Sequence, residues 1–382
     1  MICYNKQKQN IGYGMIEVEK VEVWLNGIRV GTLAQTPYKP ITCAFEYTRE
    51  WLQNGFSISP LELPLTAGVK IAAYHPFDGL FGVFADSLPD GWGNLILQRY
   101  LQLHGINYNN LSVLQQLCLV GSLGRGALEY HPDESIRKTQ EYLSFEQFAA
   151  EADAVLKDDN YNGEHLEEMV QRGGSPGGAR PKLFVKYGND EWLVKFRAKG
   201  DKKDIGKVEY KYSLLAKKCG IEMPETRLFD NCWFATKRFD RYEDQKRHVV
   251  SAAGLLRADY RIPCIDYEHL FRLSARLSHS VEELWKVYRI MCFNVIIGNR
   301  DDHAKNFSFL YDNGWHFAPA YDLLPSGIEG DYHTTSVNDN PLPQKNDILA
   351  VTQKVGLNIK TATNIYDEML QVYKNEIEIE MA

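Results

Sequence analysis

The sequence lacks the features of secreted, disulfide-bonded and membrane-spanning proteins. Its seven cysteines include no Cys-x-x-Cys pair, so neither a disulfide framework nor a thiolate zinc site is expected. No apolar run approaches the ~18 residues of a membrane-spanning helix, and the N-terminus has no apolar stretch typical of a secretion signal. We therefore expect a soluble, cytoplasmic protein with reduced thiols.

Basic residues are also too few for a protein that coats nucleic acid. Lys and Arg number 43 against 50 Asp and Glu, which gives a net charge of −7. Nonspecific binding to DNA or to an anionic membrane depends on clustered cations. We expect no membrane contact and no direct reading of DNA. Apolar residues make up 44% of the 382 residues, which is enough for sizeable cores. The length is about 2.5 times that of a ~150-residue domain, so it predicts two domains or one bilobal unit.

Turn residues divide the N-terminal third into short strands. Val21–Leu25 and Ile28–Leu33 flank Asn26-Gly27, a pair that fits a two-residue type I′ hairpin. A polar stretch at residues 132–140 marks the first expected boundary. We therefore assign residues 1–135 to a β-rich N-terminal subdomain.

The middle of the chain, residues 136–241, mixes helices with a β-hairpin. Ser144 and Gln147 form a capping box that predicts the start of a helix. The hairpin strands and the helix after them are predicted at Lys182–Tyr187, Glu191–Phe196 and Val208–Cys219.

Helical patterns dominate residues 242–382. The strongest runs from Ser280 to Ile297, with Ser280 and Glu283 as a capping box and Gly298 as terminator. The predicted fold class is α+β and bilobal, with a β-rich N-terminal subdomain and lobe and an all-α C-terminal lobe. The cleft between the lobes is the expected site.

The loop after this helix carries the clearest chemical pattern. Asp301 is followed five residues later by Asn306, which is the spacing of a kinase catalytic loop. The Asp accepts a proton from the attacking hydroxyl, and the Asn offers an oxygen ligand to Mg²⁺. A predicted strand–turn–strand then returns Asp322 to this loop, where a kinase keeps a second carboxylate for Mg²⁺. Taken singly, each of these residues also fits a turn cap or a strand end.

The glycine-rich segment 173–182 and the strand after it supply the phosphate-binding part of the pattern. Glycines let backbone N–H groups approach phosphate oxygens, although this segment lacks Walker spacing and alone also fits a linker. Lys195 lies between apolar neighbours on the second hairpin strand, and Glu209 on the next helix is its candidate partner. An exposed strand position is the alternative for Lys195 alone. The order of all these elements indicates phosphoryl transfer.

Together these segments resemble the HipA-type serine/threonine kinases. The similarity lies in Ser175-x-x-Gly178-x-x-x-Lys182, Lys195, Lys237–Arg241, Asn299-x-Asp301-x-His303-Ala304-Lys305-Asn306-Phe307-Ser308 and Tyr321-Asp322-Leu323. Two further segments resemble that family's N-terminal subdomain, namely Leu88–Gly93 and Gly124–Leu128.

The resemblance implies a protein-kinase-like fold and a toxin of a bacterial toxin–antitoxin pair that uses ATP and Mg²⁺. It also implies phosphorylation of an aminoacyl-tRNA synthetase, and a HipB-like helix-turn-helix antitoxin through which the toxin contacts DNA indirectly. The implied catalytic residues are Asp301 as base and Asp322, with Asn306 and Asp322 on Mg²⁺. The implied ATP-binding residues are Lys195, Gly177, Gly178, Lys182, Ser175, Glu209 and His303. Ser175 also matches the serine that family members phosphorylate on themselves.

Three positions are local departures from the family pattern. Pro176 and Pro181 stiffen the glycine-rich segment. Asp302 adds a carboxylate beside Asp301, where it either raises the pKa of Asp301 or points to solvent, and we expect solvent. His303 is expected to stabilise the catalytic loop by hydrogen bonding.

Two other functions fit parts of the pattern. A small-molecule or lipid kinase has a similar catalytic loop, but we find no basic membrane-facing cluster near the expected cleft. A nucleotide-binding interaction module without catalysis is the other alternative. Loss of Lys195, Asp301 or Asp322 would have indicated it, and all three are present.

Overall fold

Alternating apolar and polar residues build an antiparallel sheet in the N-terminal third. Val21, Val23 and Leu25 face the core from β1 (Lys20–Leu25), because successive side chains of a strand point to opposite faces. Asn26 and Gly27 have left-handed backbones and close the predicted hairpin. The computed structural model describes residues 18–137, 143–158, 161, 163, 165–173, 178–243, 245–325 and 332–381.

The sheet has the order β4-β3-β2-β1-β5, and helices cover it. Its other strands are β2 (Ile28–Gln35), β3 (Cys43–Tyr47), β4 (Lys70–Ile71) and β5 (Leu128–His131). The helices of this part are α1 (Arg49–Asn54), α2 (Gly82–Ala85), α3 (Gly91–Leu103) and α4 (Val113–Val120).

A second antiparallel sheet, of order β6-β7-β9-β8, forms in the middle of the chain. Its strands are β6 (Lys182–Tyr187), β7 (Asp190–Lys195), β8 (Thr226–Phe229) and β9 (Trp233–Lys237). The helices are α5 (Phe145–Lys157), α6 (Leu166–Gly173) and α7 (Ile205–Lys218). Both bonds of the predicted capping box are present, since Ser144 caps α5 and Gln147 reaches back to it.

Helices dominate the C-terminal part, as predicted. They are α8 (Ala252–Leu256), α9 (Tyr267–Ser278), α10 (Val281–Ile297), α11 (Lys345–Lys354) and α12 (Ile359–Met381). The strands are β10 (Arg241–Tyr242), β11 (Gln245–Lys246), β12 (His248–Ser251), β13 (Ile265–Asp266), β14 (Ser308–Tyr311), β15 (Trp315–Phe317) and β16 (Thr335–Ser336).

The description of this lobe as all-α therefore needs one correction. β12, β14 and β15 form a small antiparallel sheet. The sequence predicted β14 and β15 but missed β12. All four residues of β12 are buried, so the strand shows no alternation of apolar and polar residues.

Helix α10, which leads into the predicted catalytic loop, ends as expected but begins differently. Gly298 has φ +69° and terminates the helix. The predicted capping box is wrong, because the Ser280 hydroxyl donates to Glu282 instead. Glu283 is buried and accepts the backbone N–H of Phe317 at 2.6 Å. Its carboxylate thus ties α10 to β15.

One hydrophobic core joins the two ends of the chain. It extends from Val21 in β1 to Met369 in α12. Gly82 of α2 and Gly254 of α8 touch so closely that a Cβ at Gly82 would lie 2.0 Å from the Gly254 carbonyl oxygen. The N-terminal sheet and the C-terminal helices therefore share a packed interior. Among the described helices, none combines the length and apolar character needed to cross a bilayer.

Candidate functional site

A cleft of about 1150 Å³ lies between the four-stranded sheet and the loops at residues 299–306 and 321–325 of the C-terminal part. It is lined by the described candidate residues Gly178, Lys182, Lys195, Glu209, Asp301, His303, Asn306 and Asp322. Ser175 and Gly177 lie outside the described residues. Side chains that are far apart in the sequence therefore converge in one cavity, as the order of the segments predicted.

Lys195 occupies the centre of this cleft. It ends β7 and is only 9% exposed, so the alternative of an exposed strand position is wrong. Its Nζ contacts Glu209 Oε1, the predicted partner, and also Asp322 Oδ1. Burial alone would lower the pKa of Lys195, but Asp322 and Glu209 outweigh it and raise the pKa. The ammonium is therefore charged and held between two carboxylates.

Asp322 is positioned through its backbone as well as its side chain. It adopts φ +56°, a left-handed conformation that Asp tolerates better than most residues. The Asn299 side-chain amide donates to the Asp322 carbonyl at 3.2 Å. Burial opposes ionisation of Asp322, but Lys195 and Lys182 outweigh it and hold its pKa well below the usual range. The Asp322 carboxylate is therefore ionised at neutral pH.

Asp301 and Asn306 lie together on the loop after α10. The Asn306 amide nitrogen donates to the Asp301 carbonyl at 2.6 Å, which leaves the amide oxygen available for a cation. The Asp301 side chain is 59% exposed and reaches into the open cleft. Its pKa is raised because the cleft walls partly shield the carboxylate from water and because Asp322 and Asp302 repel its charge, while His303 opposes the rise. A raised pKa makes this carboxylate a better proton acceptor.

The donor set fits Mg²⁺. The Asn306 amide and the Asp322 carboxylate supply oxygen, the ligand type this ion prefers. Within the described ranges, no group of three or more His, Cys, Asp or Glu forms a closed metal cage. An open set of this kind suits Mg²⁺, which usually takes its remaining ligands from water and substrate phosphates.

Asp302 contradicts the expectation that it points to solvent. Its side chain is fully buried and accepts hydrogen bonds from the Tyr267 hydroxyl at 3.1 Å, from His333 Nδ1 at 3.0 Å and from the Thr335 N–H at 3.1 Å. It therefore anchors the predicted catalytic loop to the residues that pack beneath it. Its charge also contributes to the raised pKa of Asp301, the alternative that the sequence left open.

His303 does not make the expected hydrogen bonds. Its Nδ1 is buried and has no hydrogen-bond partner among the residues that the structure describes. Its Nε2 lies 3.9 Å from Asp301 Oδ1, beyond hydrogen-bond distance, and its ring contacts Tyr260. His303 thus supports the loop by packing and by proximity to the Asp301 charge.

Lys182 and Gly178 form the wall of the cleft nearest the glycine-rich segment. Lys182 is 3% exposed, and burial lowers its pKa to about 8, against the attraction of Asp322. Gly178 has φ +97°, and a Cβ there would lie 2.7 Å from Lys182 Nζ. The positive φ therefore favours glycine where the segment turns past this lysine.

Sequence reasoning assigned no role to three charged residues of the cleft, Asp90, Arg125 and Lys305. Arg125 donates to Ser308 Oγ at 2.6 Å and to the Tyr321 hydroxyl at 3.1 Å, next to Asp322. The only sequence feature that pointed to Asp90, Arg125 and Lys305 was their place inside segments that resemble the HipA family. Nothing in the local pattern indicated that the N-terminal third reaches the site.

Comparisons with known proteins identify the family to which the chain is similar. Residues 21–131 match the HipA N-terminal domain, and residues 174–377 match the HipA-like C-terminal domain. "Putative kinase Y4dM" of Sinorhizobium fredii is 24% identical over 344 residues, which cover 83% of this chain and 80% of that protein. A similarly named protein of Haemophilus influenzae is 22% identical over 258 residues, covering 62% of this chain and 68% of its own length.

A solved structure shares the fold. A chain in the complex of Shewanella oneidensis MR-1 HipA, HipB and operator DNA has a TM-score of 0.71 and 19% sequence identity. The superposition covers 94% of this chain and 91% of that chain. The predicted fold class, with a β-rich N-terminal region and a helical C-terminal part, is thereby confirmed.

Proposed function

Because the chain belongs to the HipA family, we propose that it is an ATP- and Mg²⁺-dependent protein serine/threonine kinase and the toxin of a toxin–antitoxin pair. One observation carries the proposal. Lys195 contacts Glu209 and Asp322 in the cleft that Asp301 and Asn306 also line. This combines a cation for phosphates, oxygen ligands for a metal ion and a proton acceptor.

Each side chain has a defined task in the proposed reaction. Lys195, kept charged by its two carboxylates, binds the phosphates of ATP. Asp301 orients the substrate hydroxyl and takes its proton as the oxygen bonds to the γ-phosphorus and the bond to the ADP oxygen breaks. Mg²⁺ bound by Asn306 and Asp322 would neutralise charge on the phosphates. Arg125 and Asn299 hold the segment that carries Asp322.

The first experiment measures phosphate transfer from radiolabelled ATP. We expect transfer by the unaltered chain, and a loss of about 10²- to 10⁴-fold in Asp301→Asn, which removes the proton acceptor. Asp322→Asn should also lose transfer. Asp153→Asn, an exposed carboxyl on α5, is the matched control and should remain active. Equal transfer by Asp301→Asn and the control would refute the proposal.

The proposed substrate is a protein, with an aminoacyl-tRNA synthetase as the expected target. The exposed Asp301 carboxylate in an open cleft supports this, because a side-chain hydroxyl of another protein can approach it. Incubation with a bacterial extract and labelled ATP should place the label in acid-precipitable protein, on serine or threonine. Label recovered only in small molecules or lipid would instead indicate the other kinase class.

Regulation is proposed on the same basis. We propose a HipB-like antitoxin that holds this cytoplasmic toxin and brings it to DNA, as HipB and operator DNA accompany HipA in the Shewanella complex. We also propose that Ser175 is autophosphorylated. Intact mass after incubation with ATP should rise by one phosphate in the unaltered chain and remain constant in Ser175→Ala. An unchanged mass in both would exclude this modification.

A further inference from the structure

Asp90 belongs to the N-terminal third, yet its carboxylate lies in the kinase cleft. Its Oδ1 accepts the backbone N–H of Gly178 at 2.6 Å, and its Oδ2 lies 2.5 Å from Lys305 Nζ. We call these two contacts the Asp90 bridge. The side chains of Asp90 and Lys305 are only 11% and 14% exposed. One carboxylate thus connects the glycine-rich segment to the catalytic loop.

The backbone beside Asp90 is shaped to receive the same glycine. The Trp92 N–H donates to the Gly178 carbonyl at 3.0 Å, so both the N–H and the carbonyl of Gly178 are bound. Gly91 has φ +43°, and a Cβ there would lie 2.5 Å from the Gly178 carbonyl oxygen. A larger residue at position 91 would push the glycine-rich segment away.

The charges of the bridge are mutually stabilised. Burial would raise the pKa of Asp90, but Lys305 and the Gly178 N–H outweigh it and lower the pKa. Burial would lower the pKa of Lys305, but Asp90 and Asp86 raise it. Removal of either partner would leave a mostly buried charge without its ion-pair partner.

We propose that Asp90 is a positioning residue of the kinase site, which fixes Gly178 and Lys305 relative to each other and so sets the affinity for Mg·ATP. The N-terminal subdomain is then part of the phosphate-binding machinery. The cleft wall contains three consecutive residues, Gly178, Ala179 and Arg180. The contacts that fix Gly178 therefore determine the position of this wall. The effects on nucleotide affinity and on phosphate transfer rest on the proposed function, whereas the exchange of the Gly178 amide tests the bridge without any nucleotide.

Three variants separate the two contacts of the bridge. Asp90→Ala breaks both. Asp90→Asn keeps an oxygen for the Gly178 N–H and loses the ion pair, and Lys305→Gln loses the ion pair and keeps the carboxylate. Asp78→Asn, an exposed carboxyl of the same subdomain, is the matched control. Asn tolerates the left-handed backbone that Asp78 adopts.

The experiment measures the dissociation constant of Mg·ATP, the KM for ATP and kcat, together with hydrogen exchange of the Gly178 amide. Asp90→Ala should weaken binding and raise KM by about tenfold or more, with a smaller change in kcat, as expected for loss of a charged hydrogen bond. Asp90→Asn should bind better than Asp90→Ala. The Gly178 amide should exchange faster in Asp90→Ala but not in Lys305→Gln.

Unchanged nucleotide affinity and amide exchange in Asp90→Ala would overturn the proposal. Tighter Mg·ATP binding or faster phosphate transfer in Asp90→Ala would also overturn the proposal, because the bridge would then lower the affinity or the rate instead of supporting it. If Asp90→Ala fails to fold, Asp90→Asn and Lys305→Gln provide the test. A Mg·ATP affinity in both variants equal to that of the Asp78→Asn control would exclude a positioning role for Asp90. If the unaltered chain binds Mg·ATP without transferring phosphate, the kinase function fails while the affinity comparison still decides the role of Asp90.

Discussion

Two adjacent carboxylates of the predicted catalytic loop have opposite surroundings, from which we expect separate roles. Asp301 opens into the cleft, whereas Asp302 is fully buried and accepts three hydrogen bonds. The proposed function gives the first a role in chemistry, whereas the contacts of the second are those of a structural anchor. Substitution of each can therefore distinguish a reacting group from a structural anchor.

We predict that Asp302→Ala lowers the free energy of unfolding by about 3 kcal/mol, because it leaves buried donors without partners. Asp301→Ala should change stability by less than about 0.5 kcal/mol, as expected at an exposed position, and should abolish transfer. Urea denaturation and the labelled-ATP assay measure the two effects. Similar stability losses in both variants would contradict the distinction.

A buried histidine predicts a pH dependence of stability. His248 is 2% exposed, its Nε2 lies 2.8 Å from the Ile58 carbonyl oxygen, and burial lowers its pKa to about 4. An unfolded chain has an ordinary histidine pKa of about 6.5, so between these values the unfolded state binds the extra proton. This histidine thus contributes stability that is complete above about pH 6.5 and is lost as the pH falls towards 4.

From pH 7.5 to pH 5, we predict that the loss due to His248 is about 2 kcal/mol of unfolding free energy. His248→Gln should lack this part of the pH dependence, while the exposed control His279→Asn should keep it. Urea titrations at both pH values give the comparison. Identical pH dependence in His248→Gln and the unaltered chain would show that His248 does not carry the effect.

At the scale of elements, two serines with similar sequence contexts behave differently. Ser144 accepts the Gln147 N–H and caps α5, whereas Ser280 makes no cap bond to α10. Glu283, three residues after Ser280, is buried and accepts a hydrogen bond from the Phe317 N–H. Its side chain therefore does not reach back to Ser280 to complete a capping box. A capping pattern in sequence is therefore overridden when tertiary structure offers the carboxylate a buried donor.

We predict that Ser144→Ala lowers the free energy of unfolding by about 1 kcal/mol, the usual cost of a lost N-cap. Ser280→Ala should cost less than about 0.5 kcal/mol, because no cap is lost. Chemical denaturation of the two variants under the same conditions tests this. Equal losses would mean that Ser280 caps its helix in solution.

Local and long-range features differ in how far the sequence predicts them. The Asn26-Gly27 hairpin and the Gly298 helix end follow from neighbouring residues and are confirmed. The pairing of Lys195 with Glu209 was found through the order of motifs. The Asp90 bridge was not predicted, because its partners lie 88 and 215 residues away and nothing local marks them. Asp302 was placed wrongly for the same reason, since His333 and Thr335 come from a distant segment.

At the scale of the whole molecule, the shared core ties the N-terminal third to the rest of the chain. Besides apolar contacts, His248 bonds to Ile58 and Arg125 bonds to Ser308 and Tyr321. The expected boundaries at residues 135 and 241 remain predictions. From the shared core we expect the N-terminal and C-terminal parts to unfold together.

We predict a single cooperative thermal transition, with equal calorimetric and van't Hoff enthalpies. Removal of residues 1–135 should abolish this transition, because the remainder would expose the interior that Gly82 and its neighbours cover. Differential scanning calorimetry of the full and shortened chains tests both statements. Two separated transitions in the full chain, or a cooperative transition in the shortened one, would contradict the shared core.

The left-handed backbone of Asp322 makes its position a natural subject for saturation mutagenesis. Glycine and asparagine also adopt this conformation readily, whereas valine, isoleucine and threonine do so at a steric penalty. A library of all twenty amino acids at position 322 should therefore separate into soluble but inactive clones, rich in Gly and Asn, and poorly expressed clones rich in branched residues. The first group would supply inactive proteins for capturing bound partners.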